Sequence, residues 1–156
     1  MKILYICTHN RCRSILSEAI TNHLAGDLIT ARSAGSQPAG EVHPQTLRSL
    51  QASGISTAEL QSRSWDEFED FAPDLVITVC DSAAGESCPL WMGNTIKLHW
   101  GLADPSKVTG SDAHINAAFG DCMAKITQRV LLMRDQLEAG ADKAGLLAAI
   151  SAQGAQ

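Results

Sequence analysis

The sequence alternates short apolar runs with longer segments of helical periodicity. The clearest run, DLVITV at residues 74–79, is rich in the β-branched residues that favour a buried strand. Strands are predicted at residues 2–6, 28–33, 74–79 and 95–98, and helices at residues 13–25, 44–53 and 112–137, with a short helix through residue 69 after a Ser64–Glu67 capping box. This order predicts an α/β fold, a three-layer sandwich built on a mainly parallel sheet.

The length of 156 residues suits one domain. Residues 1–139 are predicted to form it, and the Ala- and Gly-rich residues 140–156 a tail that is either helical or partly disordered. The net charge of −5 argues against nucleic acid or a membrane surface as a partner, because both prefer a basic face. No apolar run approaches the roughly 20 residues of a membrane span, and the first residues do not form a signal peptide, so we expect a cytoplasmic protein.

Residues 7–14, CTHNRCRS, lie between the first predicted strand and the first predicted helix. The five residues between Cys7 and Arg13 allow the backbone N–H groups to converge, and the helix N-terminus adds partial positive charge. Arg13 is then placed for a bidentate contact with a tetrahedral oxyanion. The alternative is a buried cysteine in a tight turn. The predicted oxyanion loop consists of Thr8, His9, Asn10, Arg11, Cys12, Arg13 and Ser14.

The same loop favours a thiolate at Cys7. A cysteine with a pKa near 8.5 is only about 3% ionised at neutral pH, and a pKa about two units lower would make it mostly thiolate, a stabilisation of ~2.7 kcal/mol. Ser14 is placed to hydrogen-bond the Cys7 sulfur. We therefore predict a nucleophilic Cys7 with a lowered pKa.

Cys80 directly follows the strand at residues 74–79, as Cys7 follows the first strand. If these strands are neighbours, about 4.8 Å apart, both thiols lie at the carboxyl edge of the sheet, where ligands bind in such folds. Five cysteines, an odd number, argue against a static disulfide framework, so each thiol either packs or reacts. A zinc site is disfavoured, because the spacing between Cys80 and Cys88 matches no common one.

The segment between Cys80 and Cys88 has to loop back if these two residues pair. Disulfide partners need Cα atoms within about 7 Å, whereas eight extended residues span roughly 26–29 Å. Residues 81–87 include Gly85 and no large apolar side chain, so reordering them costs little. We hypothesise that the segment moves on oxidation, which hydrogen exchange in the reduced and oxidised protein would reveal.

Residues 3–35, ILYICTHNRCRSILSEAITNHLAGDLITARSAG, resemble the low-molecular-weight tyrosine phosphatase superfamily, including its arsenate reductase branch. The loop, the SEA that follows it and the SAG at residues 33–35 are the strongest markers, and the resemblance runs to about residue 139. It implies a four-stranded parallel sheet flanked by helices. It also implies catalytic roles for Cys7 as nucleophile, for Arg13, and for Asp104 of the Asp-Pro motif as general acid. Without the resemblance, that motif would be interpreted as a turn.

The segments VITVCDSAAGESCPLW and LHWGLADP resemble the thioredoxin-type arsenate reductases. The resemblance implies that Cys7 forms an adduct with arsenate, that Cys80 attacks the Cys7 sulfur, and that Cys88 then attacks Cys80. Thioredoxin is the implied electron donor, with glutaredoxin and glutathione as the alternative, and phosphate or sulfate would compete with arsenate. The cycle requires no cofactor and no metal.

Two other functions stay open. A phosphomonoester hydrolase needs only Cys7, Arg13 and Asp104, although the tyrosines that often flank the family's Asp-Pro motif are missing and the single tyrosine is Tyr5. A non-enzymatic redox sensor would present its Cys80–Cys88 state to a partner.

Other residues receive weaker interpretations. Some family members bind potassium through positions that match Asn10, Glu18 and Ser33, but the fourth position, an aspartate there, is Trp65 here. The five histidines show no metal-ligand spacing. Two further cysteines, Cys12 and Cys122, are interpreted as packing residues.

Overall fold

The structure is a computed structural model that describes residues 1–80, 89–93 and 95–154. Within these residues one parallel sheet has the strand order β2-β1-β3-β4. The strands are β1 (Lys2–Ile6), β2 (Thr30–Ala34), β3 (Leu75–Thr78) and β4 (Ile96–His99). The helices are α1 (Arg13–Ala25), α2 (Pro44–Ala52), α3 (Asp112–Glu138) and α4 (Lys143–Gly154). The predicted α/β fold with a four-stranded parallel sheet is confirmed.

The strand β1 lies inside the sheet and is covered on both faces. Successive residues of a strand point to opposite faces, and residues 3–6 are all buried. On one face the Tyr5 hydroxyl hydrogen-bonds Thr21 of α1 at 2.8 Å, and the Tyr5 ring lies 6.3 Å from that of Trp100. This double covering is what a sandwich with a buried parallel sheet requires.

Neighbouring strands bring the two predicted thiols to one edge. In the pairing of β1 with β3, Ile6 lies opposite Thr78, and the Val79 amide donates to the Ile6 carbonyl at 2.9 Å. The segments that follow β1 and β3 therefore leave the sheet side by side, as predicted. The strand β2 begins at Thr30, two residues later than predicted, because its register is set by pairing with Lys2 of β1.

The helices follow the local sequence signals closely. The Ser64–Glu67 capping box forms, with Ser64 N donating to Glu67 Oε2 at 3.0 Å, and it opens a 3₁₀ helix, Trp65–Phe68. The apolar face predicted for α3 is buried, except that Ile115 is half-buried. Across the described ranges, none of the helices has the length and apolar character that a membrane span requires.

The tail folds back as α4. Gly140, with a positive φ of 84°, lies between α3 and α4. Leu146 and Ile150 are buried, and the indole nitrogen of Trp100 donates to the Ile150 carbonyl at 3.3 Å. This helix therefore packs on the residue that follows β4.

Candidate active site

Carbonyl groups of the loop at residues 7–14 accept hydrogen bonds from the segment that follows β2. Three amides of that segment donate to three loop carbonyls at 2.9–3.0 Å: Gln37 to Thr8, Ala39 to His9 and His43 to Arg11. In a planar trans peptide the N–H points away from the C=O. Outward carbonyls therefore leave the amides of the next residues directed into the loop, and α1 starts immediately at Arg13. This arrangement suits an oxyanion.

Asn10 braces the loop from within the protein. It is fully buried and adopts a left-handed backbone with φ of 46°. Its amide nitrogen donates to Ser14 Oγ at 2.9 Å and to Ser33 Oγ at 3.0 Å, and its amide oxygen accepts from the Arg63 N–H at 2.8 Å. The side chains of Asn10 and Ser14 are thus used to hold the loop in shape. The predicted contacts of Asn10 and Ser14 with an oxyanion would therefore be made by their backbone N–H groups.

Two residues that support the loop were missed from the sequence. A Cβ on Gly35 would lie 2.5 Å from the Thr8 carbonyl oxygen and 2.8 Å from that of Cys7, so only glycine fits there. The buried Thr46 of α2 donates to the Arg11 carbonyl at 3.3 Å and hydrogen-bonds the Cys12 thiol. The SAG marker pointed to Gly35 without giving the physical reason, and no local signal marks Thr46.

Folding brings Cys80 next to Cys7, whose ionisation it influences more strongly than any other group does. Both residues are buried, with 6% and 3% of their surface exposed, and neither is in a disulfide. Thr8 holds the second sulfur in place, because its backbone N–H donates to Cys80 Sγ at 3.4 Å and its hydroxyl lies 3.7 Å from the same atom. The thiol that follows β3 therefore lies beside the Cys7–Thr8 segment that follows β1.

The pKa of Cys7 is raised, so the predicted lowering is wrong for this arrangement. The hydrogen bond to Cys80, burial, and the charge of a Cys80 thiolate together outweigh the opposing effects of Arg13 and the His9 amide. Adjacent acidic groups resist ionising together. The prediction of a lowered pKa took account of the loop alone, whereas Cys80 reaches Cys7 from a distant part of the chain.

Arg13 lies between the loop and Asp104. Its Nη2 is 3.4 Å from Asp104 Oδ2, and its Nη1 donates to the Leu102 carbonyl at 3.0 Å. Arg13 Nε is buried and has no acceptor among the described residues, so it is available to an oxyanion oxygen. Asp104 is in turn held by the Ser106 hydroxyl and amide, at 2.6 and 3.0 Å. The structure thus brings together Arg13 and Asp104, two of the predicted catalytic residues.

The remaining cysteines divide into two groups. Burial raises the pKa of Cys12 to about 12 and that of Cys122 to about 11, and both belong to the core, as the packing interpretation expects. The predicted movement of residues 81–87 and the partner thiol Cys88 fall outside the described residues. Within the described part of the chain, no cluster of His, Cys, Asp and Glu is suited to a metal ion.

Residues 2–143 match the family described as low molecular weight phosphotyrosine protein phosphatase. The chain belongs to this family. A relative, an arsenate reductase from Halalkalibacterium halodurans, is 34% identical over 128 residues, which are 82% of this chain and 91% of that protein. An arsenate reductase from Bacillus subtilis is 31% identical over 130 residues, covering 83% of this chain and 92% of that protein.

Solved structures of arsenate reductases superpose on this fold. The thioredoxin-dependent arsenate reductase from Corynebacterium glutamicum does so with a TM-score of 0.67 and 27% identity, covering 89% of this chain but only 62% of that chain. An arsenate reductase in the phosphate binding state gives a TM-score of 0.70 and 25% identity, covering 86% of this chain and 97% of that chain.

The potassium position of some phosphatase-family members is occupied differently here. Ser33 Oγ donates to Glu18 Oε1 at 2.7 Å, and the charges of Arg32 and Arg63 act on the same carboxyl group. Trp65 stands where those members have an aspartate. The arginines supply positive charge and the fourth carboxylate is missing, so this cluster does not fit a potassium ion.

The buried Glu18 should make stability depend on pH. Only 6% exposed, it has a pKa raised by burial from 4.5 to about 7. The folded state therefore binds more protons than the unfolded state between these values, so stability falls as pH rises through that window, by roughly 3 kcal/mol in total. Glu18→Gln should remove this loss and be the more stable protein above about pH 7.

Urea denaturation of wild type and Glu18→Gln across this range measures the effect. The difference in unfolding free energy between the two proteins should grow with pH and level off above the folded-state pKa. Replacement of the exposed Glu41 by glutamine provides the control. A pH-independent difference would show that Glu18 is not buried in this way.

Proposed function

We propose that this chain is an arsenate reductase of the thiol-relay type. The observation that carries the proposal is the position of the Cys80 sulfur, 3.4 Å from the Thr8 backbone nitrogen and beside Cys7 at the oxyanion loop. A hydrolase needs one sulfur at this position, whereas a reductase needs two. The relatives named arsenate reductase, at 31–34% identity, support the same conclusion.

The first step is adduct formation at Cys7. Arsenate enters the loop, where inward amides and Arg13 bind its oxygens. The Cys7 sulfur forms a bond to arsenic, one As–O bond breaks, and the departing oxygen leaves as water with a proton from Asp104. The contact between Asp104 and Arg13 places the acid beside the bound anion. The Cys7 proton passes to an oxygen of the bound dianion as the adduct forms, and Arg13 and the His9 amide stabilise the thiolate.

The second step is electron transfer to arsenic. Cys80, held by the Thr8 amide and hydroxyl, attacks the Cys7 sulfur. The S–S bond forms, the S–As bond breaks, and its electron pair remains on arsenic, which leaves as arsenite. Two thiols have then become a disulfide and As(V) has become As(III). Phosphate cannot follow this route, because P(V) is not reduced by thiols.

The third step passes the disulfide outward. Cys88 attacks Cys80, which frees Cys7, and thioredoxin then reduces the Cys80–Cys88 pair. Thioredoxin is favoured because a fold relative with 27% identity is named as thioredoxin-dependent. Glutaredoxin with glutathione is the competing donor, and the two are distinguished by assaying NADPH oxidation with each donor system alone.

Phosphomonoester hydrolysis is the second candidate. Cys7, Arg13 and Asp104 suffice for it, and the family is described as a phosphatase family. However, the single tyrosine, Tyr5, is buried with its hydroxyl bonded to Thr21, so it does not flank the Asp-Pro motif. Arsenate-dependent NADPH oxidation measured beside aryl phosphate hydrolysis tests the choice. Efficient hydrolysis without any arsenate-dependent oxidation would favour the phosphatase.

The relay makes a specific expectation for Cys88→Ser. This variant should release one arsenite per chain and then stop, because the Cys7–Cys80 disulfide forms but is not passed on. Arsenite is counted after rapid mixing, and the disulfide is identified by peptide mass spectrometry. Cys122→Ser, which changes a buried cysteine that takes no part in the proposed relay, should turn over like wild type. Repeated turnover of Cys88→Ser with thioredoxin would contradict the relay.

A further inference from the structure

The reduced pair of Cys7 and Cys80 has the form of a chelating dithiol. The Cys80 sulfur lies 3.4 Å from the backbone nitrogen of Thr8, the residue after Cys7, and the two cysteines follow adjacent strands rather than belonging to one flexible segment. The Thr8 amide and hydroxyl hold the Cys80 sulfur in position. Such preorganisation reduces the entropy lost when both sulfurs bind one atom.

We propose that this reduced Cys7–Cys80 pair is a binding site for trivalent arsenic, so that the enzyme captures arsenite as a dithiol complex. The binding itself requires only the two thiols. Its consequence, inhibition of the reductase by its own product, rests on the proposed function.

The coordination available here fits arsenic(III) better than a metal cation. Trivalent arsenic is three-coordinate and pyramidal, so two thiolates and one hydroxyl complete its shell. Structural zinc needs four ligands, and the described residues contain no group of three or more His, Cys, Asp and Glu suited to a metal. Soft thiolate sulfur is the ligand that such a thiophilic centre prefers.

The reaction is a condensation without electron transfer. Arsenious acid, As(OH)₃, reacts with the two thiols to form two As–S bonds, while two As–O bonds break and two water molecules leave with the thiol protons. The remaining hydroxyl stays on arsenic, whose oxidation state does not change. An oxidised Cys7–Cys80 disulfide has no thiol to offer, so only the fully reduced enzyme binds arsenite.

This restriction determines the form of inhibition. Arsenite and arsenate both require reduced Cys7, so they compete for the same state of the enzyme. Arsenite should raise the apparent KM for arsenate and leave kcat unchanged.

The test measures arsenite binding to the reduced chain by native mass spectrometry and by titration of accessible thiols, with no arsenate or thioredoxin present. Wild type should bind one arsenic per chain. Cys7→Ser and Cys80→Ser should each bind at least roughly 100-fold more weakly, because the loss of one thiol abolishes chelation. Cys122→Ser should bind like wild type, and phosphate binding by Cys80→Ser verifies that its loop is folded.

Cys88→Ser decides which dithiol binds. Unchanged affinity in this variant supports the Cys7–Cys80 site, whereas loss of binding in Cys88→Ser with retention in Cys7→Ser would place arsenic on Cys80 and Cys88 and overturn the proposal. The absence of saturable binding to wild type would also overturn it. Failure of arsenate turnover with arsenite binding intact would refute only the proposed function.

Discussion

Cys80→Ser should lower the rate of arsenate reduction by roughly 10³-fold or more, because no second sulfur remains to break the Cys7–arsenic bond. The oxyanion loop keeps its supports at Asn10 and Gly35, so phosphate binding should persist. Arsenite release in the presence of thioredoxin measures the loss of arsenate reduction. Calorimetry measures whether phosphate binding persists. In contrast to Cys88→Ser, this variant should not complete a single turnover.

The same variant provides a second readout at Cys7. Cys80 is the largest cause of the raised pKa of Cys7, so its removal should lower that pKa. Alkylation of Cys7 by iodoacetamide should therefore begin at a lower pH in Cys80→Ser than in wild type, since only the thiolate reacts. Wild-type rates of arsenate reduction, or an unchanged alkylation profile, would contradict the pairing of the two sulfurs.

Gly35→Ala should distort the oxyanion loop. The new Cβ would approach the Thr8 and Cys7 carbonyl oxygens to 2.5 and 2.8 Å, and these are backbone atoms. Overpacking of this kind costs about 1–3 kcal/mol of folding free energy. A displacement of the loop by about 1 Å lowers turnover by roughly 10²-fold. Denaturant unfolding and steady-state kinetics measure the two effects.

Gly120→Ala is the matched control for this substitution. Gly120 lies within α3 and a Cβ there has no neighbour within 4 Å among the described residues, so alanine should gain up to about 1 kcal/mol through helix propensity. If Gly35→Ala were as stable and as active as Gly120→Ala, the close approach of residue 35 to the loop would be incorrect.

Most elements were predictable because their causes are local. The C-x5-R-S segment is contiguous, the Ser64–Glu67 capping box spans four residues, and apolar periodicity defined α3. The limits of β2 were less predictable, since pairing with Lys2 sets its register. The conformation of the tail was also undecided by its composition, because α4 is stabilised by packing against Trp100.

By itself, the sequence determined the strand–loop–helix unit and the residue types that can react, since eight neighbouring residues contain the nucleophile and the arginine. Only the tertiary structure decided the protonation of Cys7. Cys80 lies 72 residues beyond Thr8, and folding places its sulfur against the loop. The ionisation of a thiol depends on the charges, donors and water around it in space, and the decisive neighbour here is distant along the chain.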